Sequence, residues 1–386
     1  MPPWPWFDEQ VIGAASRVLA SGKVNYWTGE EGRKFEEELA HSLGVRHAIV
    51  LANGTVALEA ALKAVGVRPG DEVVTTSRTF LASATSAISV GAIPRFADVD
   101  RDSQNVTAAT LEAAITPKTK AFVVVHLAGW PCDMDPIMEL AERRGIAVIE
   151  DCAQAHGATY KGRPVGSIGH VAAWSYCQDK IMTTGGEGGA VTTNDTHAWD
   201  LMWSLKDHGK SYDTVYRKQH PPGFRWLHER FGSNWRLTEM QSAMGRVLLG
   251  RLPDWVARRR AHAEQLNRAL EQQPAIRVTL PPAQARHSYY KYYCFVRPEA
   301  LREGWNRDRI MSAVTAEGIP CFSGSCSEIY LEQCFVDAGL SPAQRLPVAR
   351  ELGETSLMFL VHPTLERPDI DDTIQAIEKV LAHATR

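Results

Sequence analysis

The chain has 386 residues, 44% of them hydrophobic and 23% charged, the composition of an ordinary globular protein of two to three domains at about 150 residues each. Lys and Arg number 42 against 45 Asp and Glu, a formal net charge of −3. That excludes a polyanion binder working through bulk charge, though not an anionic small ligand held by a few placed donors.

The seven cysteines are odd in number, scattered and without a CxxC pair, so no disulfide framework, zinc ribbon or thioredoxin-type redox pair is expected. The first ten residues, MPPWPWFDEQ, lack the basic start and apolar core of a signal peptide. No run approaches the ~18 apolar residues of a membrane helix, and the expected location is cytoplasmic.

In chain order, residues 47–52 (HAIVLA) read as a strand, followed by Asn53, Gly54 and a helix over 55–64 whose Ala57, Ala60, Ala61 and Ala64 form a small-residue face. Pro69-Gly70-Asp71 turns the chain into a strand over 72–76. A helix over 81–90, strands over 93–97 and 121–125, a helix over 136–144 and a strand over 146–149 continue the alternation, and 171–176 (VAAWSY) is again strand-like. Apolar strands separated by helices predict a largely parallel sheet covered on both faces, with ligands beyond the carboxyl ends of its strands.

From about Leu252 the texture changes. A helix over 240–249 is followed by an arginine-rich helix over 253–270, a strand over 292–296, and helices over 307–317 and 370–383. The expected division is a large α/β domain over 1–252 and a linking helix with a smaller α+β domain over 253–386. The run Arg258-Arg259-Arg260 reads as the solvated face of a helix rather than an anion patch.

Several motifs fail on their spacing. Asp98, Asp100 and Asp102 open like a calcium loop, but Ser103 and Ala109 stand where Gly and Glu are needed. Gly186, Gly188 and Gly189 lack the last glycine of a dinucleotide fingerprint, Val191 holding its place. No Walker lysine motif, GxSxG or HExxH occurs, and no metal ligand set is expected.

Four segments carry chemistry. Asn53-Gly54-Thr55 puts backbone N–H groups and a hydroxyl at a helix N-terminus, a phosphate site by geometry and dipole, or an ordinary turn capped by Thr55. Asp151 ends a central strand, placed for a ligand or as a helix cap. Lys180 follows the strand-like 171–176 and precedes Gly185-Gly186-Glu187-Gly188-Gly189, which permit close backbone approach. A lysine there suits imine formation, or is simply a surface lysine. Residues 232–239 (GSNWRLTE) start an amphipathic helix with Thr238 as cap. Taken together they match one cofactor, pyridoxal phosphate. It needs a phosphate cradle (Gly54, Thr55, Ser175), an imine-forming lysine (Lys180) and an acid that keeps its ring nitrogen protonated (Asp151).

On these residues the chain resembles the DegT/DnrJ/EryC1/StrS family of sugar aminotransferases, within the fold-type I pyridoxal-phosphate enzymes. The segments that carry the resemblance span nearly the whole chain. They are ANGTVALEAAL, TFLASATSAI, PRFADVD, HLAGWPCDMDPI, EDCAQAHGA, WSYCQDKIMTTGGEGGAVTTND, SNWRLTEMQSAMG and LPVARELGETSLMFLVHPTL.

The resemblance implies an aspartate-aminotransferase-like large domain. Lys180 would hold the cofactor and shuttle the substrate proton. Asp151 would pair with the ring nitrogen and Gln154 with the phenolic oxygen, and Phe80 would stack on the ring. Gly54, Thr55 and Ser175 would hold the phosphate, and Asn234 would reach the phosphate of a neighbouring subunit in a homodimer. It further implies L-glutamate as donor and a nucleotide-linked ketosugar as acceptor, in polysaccharide, glycan or antibiotic-sugar synthesis. A transaminase acting on a free ketone such as a cyclitol, or a non-catalytic cofactor-binding regulator, are the alternatives.

The chain departs from the family pattern at Trp235, at Arg78 and over 321–326 (CFSGSC). Arg78, beside Phe80, is a candidate for the substrate diphosphate, or for a structural pair with a carboxylate. Lys180 argues against the dehydratase branch, which carries histidine there.

Overall fold

The computed structural model of the chain describes residues 1–223 and 225–386. Its centre is a seven-stranded sheet in the order His47–Leu51, Gly189–Thr193, Val171–Ser175, Ala147–Asp151, Thr119–Val125, Glu72–Thr76 and Ile93–Ala97. Gly189–Thr193 runs antiparallel to both neighbours. The pairs from Val171–Ser175 to Ile93–Ala97 are parallel. Helices cover both faces, so Glu72–Thr76, Val171–Ser175 and Gly189–Thr193 are buried at every position, which is why these strands read as unbroken runs rather than alternating ones. Gly189, expected to end a glycine-rich loop, begins a strand.

The helix Gly54–Ala64 lays its small-residue face on this sheet, Ala57, Ala60 and Ala61 being fully buried against Ile49, Ile149 and Ala173. Its cap is Asn53, whose Oδ1 accepts from Val56 N at 3.0 Å, and not Thr55.

The two helices expected over 240–249 and 253–270 are one 32-residue helix, Glu239–Leu270, entered through a Thr238/Gln241 capping box and passing through Pro253. The division expected after residue 252 therefore falls inside a helix. Its first half packs Leu248 into the core beside Trp174 and Tyr176. Its second half packs Ala263, Leu266 and Leu270 into a separate core. That second core belongs to a four-stranded antiparallel sheet, Ile276–Val278, Tyr292–Val296, Ser356–Phe359 and Cys321–Phe322, with Ile310, Val314, Ile377 and Leu381 from the helices Arg307–Ala316 and Arg367–Ala384.

The arginine run corrects the sequence reading. Arg259 is fully buried, with Nη1 on the Tyr290 carbonyl at 3.0 Å. Arg258 and Arg260 bind the carbonyls of Pro363 and His287. Arg258 is exposed as the sequence reading expects and Arg260 is half-buried, but Arg259 faces inward, and all three fasten the long helix to the C-terminal part of the chain. No helix among the described residues is long and apolar enough to cross a membrane.

Candidate active site

The carboxyl ends of three strands meet beside the helix Gly54–Ala64. A Cβ on Gly54 would stand 2.7 Å from Ser175 Cβ, and one on Gly189 would overlap the Asn53 carbonyl. Glycine at both positions is what lets the Asn53–Gly54 turn, Ser175 and Gly189 close on one another. The first N–H groups of a helix have no acceptor within it. Asn53 takes that of Val56, and those of Gly54 and Thr55 are what the helix end offers an anion. Ser175 Oγ accepts from Cys177 N at 3.3 Å, which leaves its own hydrogen to donate. The group has the donors and the helix dipole that suit a phosphate.

Asp151, the last residue of Ala147–Asp151, is buried. Its Oδ2 accepts from Ser83 Oγ at 2.7 Å and its Oδ1 from Ala153 N at 3.1 Å. Burial pushes its carboxyl above the usual carboxylate range, while Ser83, the Ala153 N–H and the Lys180 charge pull it back. No helix starts here, so Asp151 is not a cap. A buried carboxylate facing neutral donors is matched by a cationic N–H.

The preceding Glu150 anchors the strand end. It accepts from Gly166 N, Ile168 N and Gly169 N and meets His126 Nε2 at 3.0 Å. His126 Nδ1 accepts from Cys132 N, so Nε2 carries the hydrogen. His126, Glu150 and Cys152 lie close enough to hold a metal ion. Both ring nitrogens and both carboxylate oxygens are already engaged, and the cluster reads as a brace.

Gln154 is buried, its Oε1 accepting from Ala128 N at 2.9 Å. The amide hydrogens on Nε2 are then what it offers, suited to an oxyanion. Lys180 is held by its backbone: its N donates to the Cys177 carbonyl, and its carbonyl accepts from Trp4 Nε1 at 2.9 Å. Its Nζ lies 5.1 Å from the Tyr290 ring centroid. Phe80 is 69% exposed and immediately precedes the turn that starts the helix Ala82–Ser89, which brings Ser83 to Asp151.

Gly54 and Ser175 therefore meet directly, Lys180 lies within electrostatic reach of Asp151, Thr55 is in the first turn of the helix, and Gln154 stands on the turn after Asp151. Two expected residues stand apart. Arg78 is fully buried, giving Nε to Gln104 and Nη2 to Ser356 Oγ. It pairs with no carboxylate among the described residues, and it presents no surface to a diphosphate. Asn234 is exposed, and its backbone bridges to Asp207. Sequence reasoning missed Ser83, Trp4 and Tyr290. Ser83 lies three residues after Phe80, one helical turn away. For Tyr290, within a run of tyrosines, no sequence signal existed.

A phosphate cradle, a buried carboxylate, an amide donor and a lysine are the groups that pyridoxal phosphate requires, and the residues fit it. A family model described as the DegT/DnrJ/EryC1/StrS aminotransferase family matches residues 6–378. A GDP-perosamine synthase from Caulobacter vibrioides is 38% identical over 368 residues, 92% of each chain. An L-glutamine:2-deoxy-scyllo-inosose aminotransferase from Streptoalloteichus tenebrarius is 35% identical, over 99% of this chain and 94% of that one. The crystal structure of an aminotransferase from Psychrobacter cryohalolentis superposes with a TM-score of 0.97 at 55% identity, covering 99% and 98% of the two chains.

Proposed function

The chain belongs to the DegT/DnrJ/EryC1/StrS aminotransferase family and is a pyridoxal-phosphate-dependent transaminase of fold type I, and on that premise we propose that it converts a nucleotide-linked ketosugar to an aminosugar with L-glutamate as amino donor. The product would serve polysaccharide, glycan or antibiotic-sugar synthesis, in the cytoplasm. The observation that carries the reading is the buried Asp151 at the end of its strand, next to the strand that brings Ser175 against Gly54 and within electrostatic reach of Lys180 in the turn that follows Ser175. The sugar is supported by the relative named for GDP-perosamine.

Pyridoxal phosphate, when bound, supplies an electron-withdrawing ring that accepts the electron pair left as a proton departs the donor's α-carbon. Gly54, Thr55 and Ser175 would hold its phosphate, Gln154 its phenolic oxygen, and Phe80 the face of its ring. Asp151 would hold a proton on the ring nitrogen, and Ser83, donating to its Oδ2, favours the charged form of that carboxylate and aims it. Lys180 would hold the cofactor through Nζ, and the same Nζ, once free, would take the proton from the donor's α-carbon. Asn234 would complete the phosphate site of a second copy of the chain, making a homodimer with shared sites.

A second reading, amination of a free cyclitol ketone, is favoured by the relative named for 2-deoxy-scyllo-inosose. Purified protein mixed with glutamate should lose the visible absorbance of the bound cofactor and regain it on adding the acceptor. Recovery with ketosugar nucleotides and not with free cyclitol ketones supports the proposal. Recovery with cyclitols alone replaces it, and no response to any amino donor refutes both.

A further inference from the structure

In the transaminase reading, the α-carboxylate of the amino donor must lie beside Lys180, because Lys180 takes the proton from the neighbouring carbon. None of Gly54, Thr55, Ser175, Asp151 and Gln154 offers that carboxylate a cation. The structure presents a second ammonium on the ring that faces Lys180.

That ring, Tyr290, is placed with unusual care. Tyr290 N donates to the Ala128 carbonyl at 2.8 Å and Ser288 N to that of Gly129 at 2.9 Å. Ala128 stands at φ 55° and Tyr289 at φ 50°, left-handed conformations that non-glycine residues adopt only when the surroundings enforce them. Ala128 N is in turn held by Gln154. The Tyr290 carbonyl accepts from Arg259 Nη1 at 3.0 Å, and its hydroxyl donates to Asp179 Oδ2. The ring is thus fixed at both ends. Lys180 Nζ lies 5.1 Å from its centroid and Lys291 Nζ 4.7 Å from it.

Lys291 is 18% exposed at its side chain. Among the described residues its Nζ donates no hydrogen bond to the protein, and the nearest carboxylate oxygen, on Asp179, is 3.9 Å away. An ammonium largely removed from water with three unused donors is unfavourable unless an anion completes it. Its charged surroundings are Lys180, Arg259 and Asp179, with His362 kept neutral by burial. With Lys180 committed to the cofactor, Lys291 and Arg259 against one half-exposed carboxylate still leave the spot electropositive. Arg259 is buried and presents no open surface, so it adds positive charge rather than donors. Burial pushes Lys291 down to about 8, Arg259 and Lys180 adding to the fall and Asp179 opposing it. At neutral pH Lys291 is charged, and a bound anion would hold it so.

We infer that Lys291, whose ammonium shares the fixed ring of Tyr290 with that of Lys180, is the residue that binds the α-carboxylate of the amino-acid donor. This rests on the transaminase reading and deepens it. Glutamate and glutamine share an α-carboxylate, so Lys291 does not choose between them.

The test compares the holoenzyme with its Lys291→Met and Lys291→Arg variants. The first readout is equilibrium binding of glutarate, a dicarboxylate with no amine to react, by calorimetry at pH 7. Lys291→Met should weaken it about tenfold or more, and Lys291→Arg should restore it to within about threefold. Wild-type binding should fall as pH rises through about 8, while that of Lys291→Arg should stay flat, since arginine does not titrate there. The second readout is the concentration of glutamate that half-bleaches the cofactor, which should rise in Lys291→Met. Unchanged glutarate and glutamate affinities in Lys291→Met overturn the inference. So does a defect confined to the ketosugar step. If the wild-type protein reacts with neither glutamate nor glutamine, the transaminase reading itself has failed, a result distinct from a reactive wild type with an indifferent Lys291→Met.

Discussion

Ser83 Oγ donates to Asp151 Oδ2 at 2.7 Å and lies 2.9 Å from Thr79 Oγ1. With Ser83's hydrogen spent on the carboxylate, Thr79 must donate to Ser83, so two hydroxyls in series stabilise the charged form of Asp151. Removing the first, as Ser83→Ala, forfeits a hydrogen bond to a charged group worth about 1.5–3 kcal/mol. The expected loss in kcat/KM is about tenfold to a hundredfold, with cofactor affinity largely kept. Asp151→Asn, which cannot hold the ring proton, should cost orders of magnitude more. Steady-state kinetics on both variants check this, and a wild-type rate in Ser83→Ala would remove Ser83 from the account.

Arg78 gives a different expectation from the one its sequence position invites. Its guanidinium bonds to Gln104 at 2.9 Å and Ser356 Oγ at 3.1 Å, stands 5.5 Å from the Tyr293 ring centroid, and leaves Nη1 without a partner. It ties the segment leading to Phe80 to the four-stranded sheet. Arg78→Lys keeps the charge and loses the fork. Both half-reactions should slow together and the melting temperature should drop. A selective rise in KM for the ketosugar nucleotide would return Arg78 to the diphosphate.

Three buried histidines make the fold acid-sensitive. Burial pushes His156, His287 and His362 down to about 3, whereas an unfolded chain binds these protons near pH 6.5. Between those values the unfolded state holds more protons, so stability is lost as pH falls below about 6.5. Each histidine contributes up to ~1.4 kcal/mol per pH unit. The urea midpoint should be clearly lower at pH 5 than at pH 7. His156→Phe should narrow the gap, since His156 sits against Trp174 and Tyr176 with neither nitrogen bonded. Equal midpoints at the two pH values would contradict the shifts.

The strands over 72–76 and 292–296, one in each of the two larger sheets, fall where the sequence puts them and are buried at every position; 93–97 at the sheet edge also falls where expected, with Arg95 exposed. Asp151 and Gly54 were legible as positions because each lies at a strand end or the turn after it, and Lys180 because it lies between such a strand and a glycine-rich segment. What the sequence hid is what depends on distant partners. Pro253 looked like a boundary, but packing on both sides carries the helix through it. Arg259 looked solvated because its burial comes from residues 289–290 and Trp4, far off in sequence. Tyr290, whose ring lies under both Lys180 and Lys291, is held by the left-handed backbone at Ala128 and Tyr289, far apart in sequence.

Shared active sites can be tested by mixing. A chain with Asn234→Ala and a chain with Lys180→Ala should each be impaired alone. In a mixed dimer one site would collect both changes and the other neither, so activity should partly recover. No recovery after verified subunit exchange would mean that each site is built from one chain.

The central claim is that Lys180 Nζ carries the cofactor and moves the substrate proton. The most direct measurement is borohydride reduction of the wild-type holoenzyme and of Lys180→Ala, followed by peptide mass analysis and a single-turnover reaction with glutamate. The account predicts a reduced cofactor adduct on the wild-type peptide containing Lys180. For Lys180→Ala it predicts no adduct anywhere and no bleaching by glutamate on the wild-type timescale, with the fold intact. An adduct on another lysine, or normal turnover by Lys180→Ala, would contradict it.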